Sequence, residues 1–284
     1  MPKTIGNPLS WSADAVGSAV GYLSQATVST GRDHAVDMPR VQRIDSEDLR
    51  DALRKGLEDM GYFRSDVIFV CLVYPMIGLV LATAAVQGSL HLLFPILSGF
   101  ALVGPVAAVG LYEMSRRREA GLETDWSALA DVVRSPRFGA ILALALFHLV
   151  IFMAWIMAAN LIFKATLGSQ TLWTLGSFAQ AVTGTPEGWA MIGIGMAVGF
   201  VFATAVLAIS AVSFPLLLDR DVGLVQAVVT SVRVLRRNPE TMALWGLIVA
   251  SALLLGALPA LLGLVLVMPL LGHASWHLYR AAVA

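Results

Sequence analysis

The sequence predicts an all-α polytopic membrane protein, with six transmembrane helices arranged as three hairpins and amphipathic helices at the cytoplasmic interface. Composition is the first reason, because 57% of the 284 residues are hydrophobic and only 13% are charged. That charged share is about half the share in a typical soluble domain. Apolar runs of the length that crosses a bilayer are the second reason. Lysine and arginine provide the third, because they cluster between alternate runs.

The chain divides into three parts. Residues 1–43 are polar and rich in Ser, Gly and Ala without a clear period, so we expect a flexible segment. Residues 44–66 carry leucines at helical spacing, which predicts a cytoplasmic amphipathic helix on the membrane surface. Residues 67–284 form the transmembrane domain. The apolar stripe of the amphipathic helix consists of Leu49, Leu53, Leu57 and Met60.

Six apolar stretches of the third part are predicted to cross the membrane. The last two come from one long run, which we divide near Pro259 because proline does not continue an unkinked helix. A cytoplasmic amphipathic segment leads into a hairpin three times, which indicates a weak internal repeat. The predicted spans are residues 67–86, 92–112, 141–163, 191–216, 242–257 and 260–279.

The basic residues predict the orientation of these spans. Eighteen of the nineteen Lys and Arg lie in the N-terminal segment, in residues 113–139, in residues 219–241 or at Arg280, and only Lys164 lies on the other side. Basic residues are retained in the cytoplasm. We therefore expect a multi-pass protein of the bacterial inner membrane with both termini cytoplasmic, in agreement with an even number of spans.

Three histidines are candidates for a metal or haem site. His273 and His277 are four residues apart and share a helix face, and His148 is predicted at a similar depth in the third span. Imidazoles so placed could bind a metal. The neighbouring Trp276 and Arg280 are instead typical of the point where a helix leaves the membrane. This interfacial role is favoured, so no cofactor is expected, and metal or haem binding stays an alternative.

A second group of candidate residues lies where the predicted spans meet the cytoplasm. Their charges could pair across the bundle, which is favoured, or bind lipid phosphates. The group comprises Tyr112, Glu113, Arg116, Asp219, Arg220, Asp221 and Arg280. In the fourth span, Gly195 and Gly199 form a GxxxG motif, which lets a second helix approach closely. Packing inside the bundle is the favoured use of that motif, and docking of another subunit is the alternative.

Four stretches resemble a known family. They are GPVAAVGLYEMSRRREAG at 104–121, SAVSFPLLLDRDVG at 210–223, SVRVLRRNPETMALWGLI at 231–248 and LLGLVLVMPLLGHASWHLYR at 261–280. Together they resemble the bacterial predicted integral membrane proteins called domain of unknown function 2189, from roughly Ile44 to the C-terminus. The resemblance implies a six-helix inner-membrane protein and no agreed activity. Members are sometimes labelled oxidase subunit one, but five histidines are too few for haem-copper oxidase chemistry.

These observations together predict a non-catalytic inner-membrane protein. It would be an accessory, assembly or scaffold component that contacts lipid or another membrane protein complex, for example a respiratory one. The spans contain almost no reactive groups, and the sequence has no nucleophile–base pair or phosphate-binding loop, so we expect neither an enzyme nor a nucleic-acid-binding protein. Two alternatives stay open: a small-solute transporter or channel, and a metal- or haem-binding membrane protein.

Overall fold

A computed structural model describes residues 38–63, 72–88, 90–122, 127–168 and 174–284. Within these ranges every regular element is a helix, apart from one isolated antiparallel bridge between Val41 and Val283. The prediction of an all-α protein is confirmed for this part of the chain. The predicted flexible segment lies mostly outside it.

Thirteen α-helices and a 3₁₀ turn follow one another along the described ranges. They are α1 (Ser46–Tyr62), α2 (Val73–Gly88), the 3₁₀ turn (Leu90–Leu92), α3 (Leu93–Leu102), α4 (Gly104–Ala107), α5 (Val109–Glu119), α6 (Ser127–Arg134), α7 (Phe138–Thr166), α8 (Leu175–Gly184), α9 (Pro186–Ser210), α10 (Ser213–Asp219), α11 (Leu224–Arg237), α12 (Pro239–Ala257) and α13 (Leu264–Ala282).

Three stretches of the described chain are long and apolar enough to cross a membrane. They are α7, the stretch Pro186–Asp219 formed by α9 and α10, and α12. They coincide with the predicted spans 141–163, 191–216 and 242–257. The shortest, α12, has 19 residues and extends about 28 Å at 1.5 Å per residue. That length is close to the hydrocarbon thickness of a bilayer.

The other predicted spans are not confirmed. The stretch 92–112 is divided among α3, α4 and α5, with breaks at Val103 and Ala108. Pro105 in the first turn of α4 explains the first break, because it has no N–H to donate to the preceding turn. For the stretch 67–86, the described helix α2 has 16 residues and begins only at Val73.

The sixth predicted span corresponds to α13, which differs from the three candidate spans because protein covers most of it. This helix packs against α1 more extensively than any other described pair of helices, and it also contacts α5, α10 and α12. Its Trp276 and Tyr279 are fully buried in the same apolar core as Phe214 of α10. The centre of the structure is therefore the helix that corresponds to the sixth predicted span.

A tight turn joins α12 to α13. Ala260 and Leu261 have left-handed φ angles of 51° and 68°, a conformation that costs roughly 1–2 kcal/mol for a residue other than glycine. The two helix ends approach closely, because a Cβ added to Gly263 would lie 2.7 Å from the carbonyl oxygen of Gly256. The pair of glycines thus permits a hairpin at this point.

Helix α1 begins with a capping box. The carboxylate of Asp45 accepts hydrogen bonds from the backbone N–H groups of Glu47 and Asp48 at 2.8 and 3.2 Å. The carboxylate of Asp48 in turn accepts from the N–H of Asp45 at 2.9 Å. These bonds satisfy donors that a helix start leaves free, so they fix where α1 begins.

The buried face of α1 differs from the predicted stripe. It contains Leu49, Ala52, Gly56 and Asp59, whereas Leu57 is 54% exposed. Helix α13 crosses at Gly56, where an added Cβ would lie 2.7–2.9 Å from the backbone nitrogen, Cα and Cβ of Ala274. Because only a small residue fits this crossing, the face centred on Gly56 turns inward and the leucine next to it turns outward.

The segment before α1 ties several helices together. The backbone N–H of Gln42 donates to Ala282 at 2.9 Å, and that of Ala284 donates to Arg40 at 2.9 Å. The amide oxygen of Asn238, between α11 and α12, accepts from the N–H of Ile44 at 2.9 Å. Residues 40–44, which we call the strap, therefore link α1 both to the end of α13 and to the start of α12.

Replacement of Gly56 by alanine tests the crossing of α1 with α13. In Gly56→Ala the new methyl group overlaps backbone atoms that cannot move independently, so we expect a loss of about 1–3 kcal/mol in the free energy of unfolding. Thermal unfolding of the protein in detergent measures it. Gly61→Ala is the matched control, because no atom lies within 4 Å of its Cβ position. An equal loss in both variants would contradict the close crossing.

Candidate functional site

Three helices bring polar side chains together inside the protein where α1 crosses α13. Asp59 comes from the last turn of α1, Ser115 and Arg118 from α5, and His273 and His277 from α13. Asp59, Ser115 and His273 are each no more than 4% exposed. We call this group the polar junction. Two of its members, the histidines, are predicted site residues.

The carboxylate of Asp59 is the centre of the polar junction. Its Oδ2 accepts hydrogen bonds from the hydroxyl of Ser115 at 2.5 Å and from Nε2 of His277 at 2.9 Å. Its Oδ1 accepts from the guanidinium of Arg118 at 2.5 Å. A buried carboxylate needs several donors to offset the loss of water. Here the donors come from two helices other than its own.

The hydrogen-bond network fixes where the protons lie. Because a carboxylate only accepts, the hydroxyl proton of Ser115 points to Asp59, and the oxygen of Ser115 is left to accept from Nδ1 of His273 at 2.8 Å. His273 therefore carries its proton on Nδ1. Its Nε2 is buried and has no hydrogen-bond partner among the described residues. The ring of Phe63 stacks on this imidazole, with 5.8 Å between the ring centres.

The network also shifts the ionisation of Asp59, which lies outside the candidate spans. Burial raises the pKa of Asp59, but the hydrogen bonds from His277 and Ser115 lower it more, so the pKa falls below its ordinary value. The carboxylate is therefore held in its charged form, which is the form that His277 and Arg118 can bind.

Serine, histidine and aspartate also form catalytic triads, but the polar junction has a different arrangement. A nucleophilic serine donates its proton to a histidine, and the histidine donates to the carboxylate. Ser115 instead donates to Asp59 and accepts from His273, and only 1% of it is exposed. The hydrogen bonds of the polar junction instead link α1, α5 and α13 to one another.

The third predicted histidine lies apart from this network. Nδ1 of His148, on α7, is 2.9 Å from the carbonyl oxygen of Leu144, and its ring centre is 5.2 Å from that of Phe214. Within the described ranges, no three or more His, Cys, Asp or Glu residues are grouped so that they could hold a metal ion. The structure thus joins His273 and His277 through Asp59 but does not add His148 to them.

The predicted rim residues fall into two groups. In the first, Glu113 is nearly fully buried and binds the guanidinium groups of Arg116 at 2.7 Å and Arg117 at 2.8 Å. Arg117 also reaches Asp131 of α6 at 2.7 Å. Tyr112 is buried on the same helix. These contacts fasten α6 to the end of α5.

The second group surrounds Asp219 at the end of α10. The carboxylate of Asp219 accepts a hydrogen bond from the hydroxyl of Tyr279 at 2.7 Å. Arg280 and Arg220 lie 3.5 and 3.8 Å from it. Arg280 also binds Glu119 of α5 at 3.1 Å. Asp221 is exposed. The rim charges therefore face each other across α5, α10 and α13.

The two glycines of the GxxxG motif have different surroundings. A Cβ at Gly199 would lie 3.2 Å from the ring of Trp155 on α7, whereas at Gly195 no atom lies within 4 Å. Gly199 thus serves packing inside the bundle. Gly195 leaves an open notch on the surface of α9.

A cavity in the described structure lies among α2, α3, α4, α12 and α13. Its volume is about 70 Å³, and its walls are glycine, alanine, valine, leucine and methionine. Pockets for small molecules usually measure 300–1,000 Å³ and contain several polar groups. This cavity has neither property.

Sequence reasoning missed the acceptor at the centre of the polar junction. Asp59 was not predicted, nor were Ser115 and Arg118. A signal was present, because Leu49, Ala52, Gly56 and Asp59 follow the spacing of one helix face, and a carboxylate on a buried face requires partners.

The fold and these contacts define an integral membrane protein whose polar side chains mainly connect its own helices. Residues 93–219 match the model of DUF2189, a family of predicted integral membrane proteins. The family resemblance is thus confirmed, over a shorter part of the chain than the four motifs indicated. Comparison with curated proteins and with solved structures finds no match.

Removal of the charge at Asp59 tests the polar junction. In Asp59→Asn, Arg118 and His277 lose their anionic acceptor, so we expect a loss of about 3 kcal/mol in the free energy of unfolding. Hydrogen exchange in α1 should increase, which mass spectrometry measures. Asp51→Asn removes an exposed carboxylate from the same helix and should change little. Unchanged exchange in Asp59→Asn would show that the network does not hold α1.

The lowered pKa of Asp59 also predicts a pH dependence. Its contribution to stability is complete above the unfolded pKa, near 3.9, and is lost as the pH falls through the lower folded value. Unfolding followed by tryptophan fluorescence should therefore show the contribution of Asp59 to stability decreasing below about pH 4. The Asp59→Asn variant should show a shallower decrease over the same range. If the stability of the wild type and of Asp59→Asn fell equally with pH, groups other than Asp59 would be responsible for the loss of stability in acid.

Proposed function

We propose that this chain is a non-catalytic membrane protein that works by binding another integral membrane protein through α9. One observation carries the proposal: among the three candidate spans of the described residues, the stretch that contains α9 is the one that its own protein covers least. Only 6% of the most apolar stretch of Pro186–Asp219 is buried, against 22% for α7 and 17% for α12. A partner or lipid must cover the rest.

The shape of α9 supports a helical partner. Gly193 and Gly195 have no atom within 4 Å of their Cβ positions. Between and beyond them, the large apolar side chains of Ile194, Met196 and Phe200 are 48%, 62% and 72% exposed. Small residues beside large ones let a second transmembrane helix approach closely and gain van der Waals contact.

The rest of the described structure agrees with a role in contact rather than catalysis. The carboxylates of Asp59, Glu113 and Asp219 are all engaged by donors of the same chain. The cavity among α2, α3, α4, α12 and α13 is small and apolar, so it gives no support to the alternative of a transporter or channel. These features support an accessory, assembly or scaffold component.

The orientation is part of the proposal. The polar junction and the rim charges lie at the end of the bundle that carries most of the arginines, whereas Lys164 is at the far end of α7. By the preference of basic residues for the cytoplasm, this end faces the cytoplasm of a bacterial inner membrane, with both termini on that side and six crossings. A respiratory complex is one candidate for the partner.

Photocrosslinking tests the proposed face. A photoreactive amino acid at Met196 of α9 should capture a protein in native membranes, whereas one at Leu247 of α12 should capture lipid alone. The two side chains are matched, with 62% and 63% exposed. Gly195→Leu fills the notch and should reduce the protein adduct several-fold. Lipid adducts alone at both positions, or equal protein adducts, would refute the proposal.

A further inference from the structure

We propose that the last turns of α11 bind the phosphate groups of anionic phospholipids in the adjacent leaflet, through Arg233, Arg236 and Arg237. This inference rests on the position and charges of α11. It does not depend on the partner proposed for α9.

The ends of α11 are held at the membrane surface. The helix follows the candidate span Pro186–Asp219, and Asn238 alone separates it from α12, the next candidate span. The guanidinium of Arg137, at the start of α7, donates to the carbonyl oxygen of Leu218 at 2.7 Å. The entry to α7 and the exit of α10 therefore lie at the same level, and α11 continues from that exit.

The three arginines share one face of α11, because they occupy positions i, i+3 and i+4. All three are exposed. Val225, Val229, Val232 and Arg236 follow one another at spacings of four, three and four residues, so they form one row along α11. The first three are apolar, and Val225 is 63% exposed. An apolar row beside a basic face is typical of a helix in the membrane interface.

These guanidinium groups have no carboxylate partner within ion-pair distance in the part of the chain that the structure describes. Within the described ranges, the guanidinium of Arg233 donates a hydrogen bond to the sulfur of Met38 at 2.9 Å. Helix α11 contains no acidic residue, and Glu240 on the first turn of α12 has no ion pair with any of the described residues. Several arginines of α5 and α13 do have carboxylate partners: Arg117 binds Glu113 and Asp131, Arg118 binds Asp59, and Arg280 binds Glu119.

The chemistry of the free face selects the ligand. Guanidinium groups bind phosphate oxygens through paired hydrogen bonds. Anionic lipids concentrate phosphate at the depth where α12 enters the membrane, and basic residues beside a transmembrane helix are attracted to them. The proposed ligand is therefore an anionic headgroup anchored in the bilayer.

The test compares lipids with the purified full chain in detergent. Phosphatidylglycerol should raise the thermal unfolding midpoint by several degrees, whereas phosphatidylcholine and inorganic phosphate at equal concentration should not. Arg236→Gln/Arg237→Gln should lose about half or more of this shift, and added salt should reduce it in the wild type. An equal shift with phosphatidylcholine or inorganic phosphate would overturn the proposal.

A matched variant removes the same charge elsewhere. Arg50→Gln/Arg54→Gln changes two exposed arginines of α1 and should retain the full phosphatidylglycerol shift. Arg236→Lys/Arg237→Lys preserves charge and should retain most of it. If Arg236→Gln/Arg237→Gln does not fold, the salt dependence in the wild type decides: a salt-independent shift overturns the proposal. A full shift in the folded variant also overturns it, and binding of an acidic protein becomes the explanation for the arginines.

Discussion

The described structure depends on one buried carboxylate. Asp59 sits where α1 crosses α13, and its charge is stable there because Ser115, Arg118 and His277 donate to it at once. Each donor alone would leave a charge too costly to bury. The close crossing at Gly56 is what brings the carboxylate within reach of all three. The close packing of Gly56 against Ala274 and the hydrogen bonds to the carboxylate of Asp59 therefore depend on each other.

This arrangement explains why the protein has two kinds of helix. The candidate spans α7, α9 and α12 leave most of their surface uncovered by their own chain, as helices that contact lipid or a membrane partner do. Helix α13 is as long as α12, but a polar helix covers one of its sides. That helix, α1, supplies the carboxylate of Asp59 to His277, which lipid chains could not do. His273 and His277, near the end of α13, therefore have polar partners within the protein although the helix lies among apolar spans.

The sequence predicts some of this structure because the relevant signals are local. Hydropathy over about twenty residues identifies α7, α9 and α12, since a bilayer acts on each span independently. The same signal does not reveal that the stretch 92–112 is divided, because the break before Pro105 depends on the backbone N–H that proline lacks. In α1, the leucines suggest a face centred near Leu53. Close packing, which hydropathy does not measure, selects the face of Gly56 instead. The partners of Asp59 are 56 to 218 residues away along the chain, so no spacing could reveal them.

The strap has a mechanical consequence. Residues 40–44 are bonded to the end of α13 on one side and to Asn238 on the other. A force applied to the chain ahead of Met38 would act on these bonds before it reached α1. The strap would therefore protect the contact between α1 and α13 from tension on the N-terminal segment.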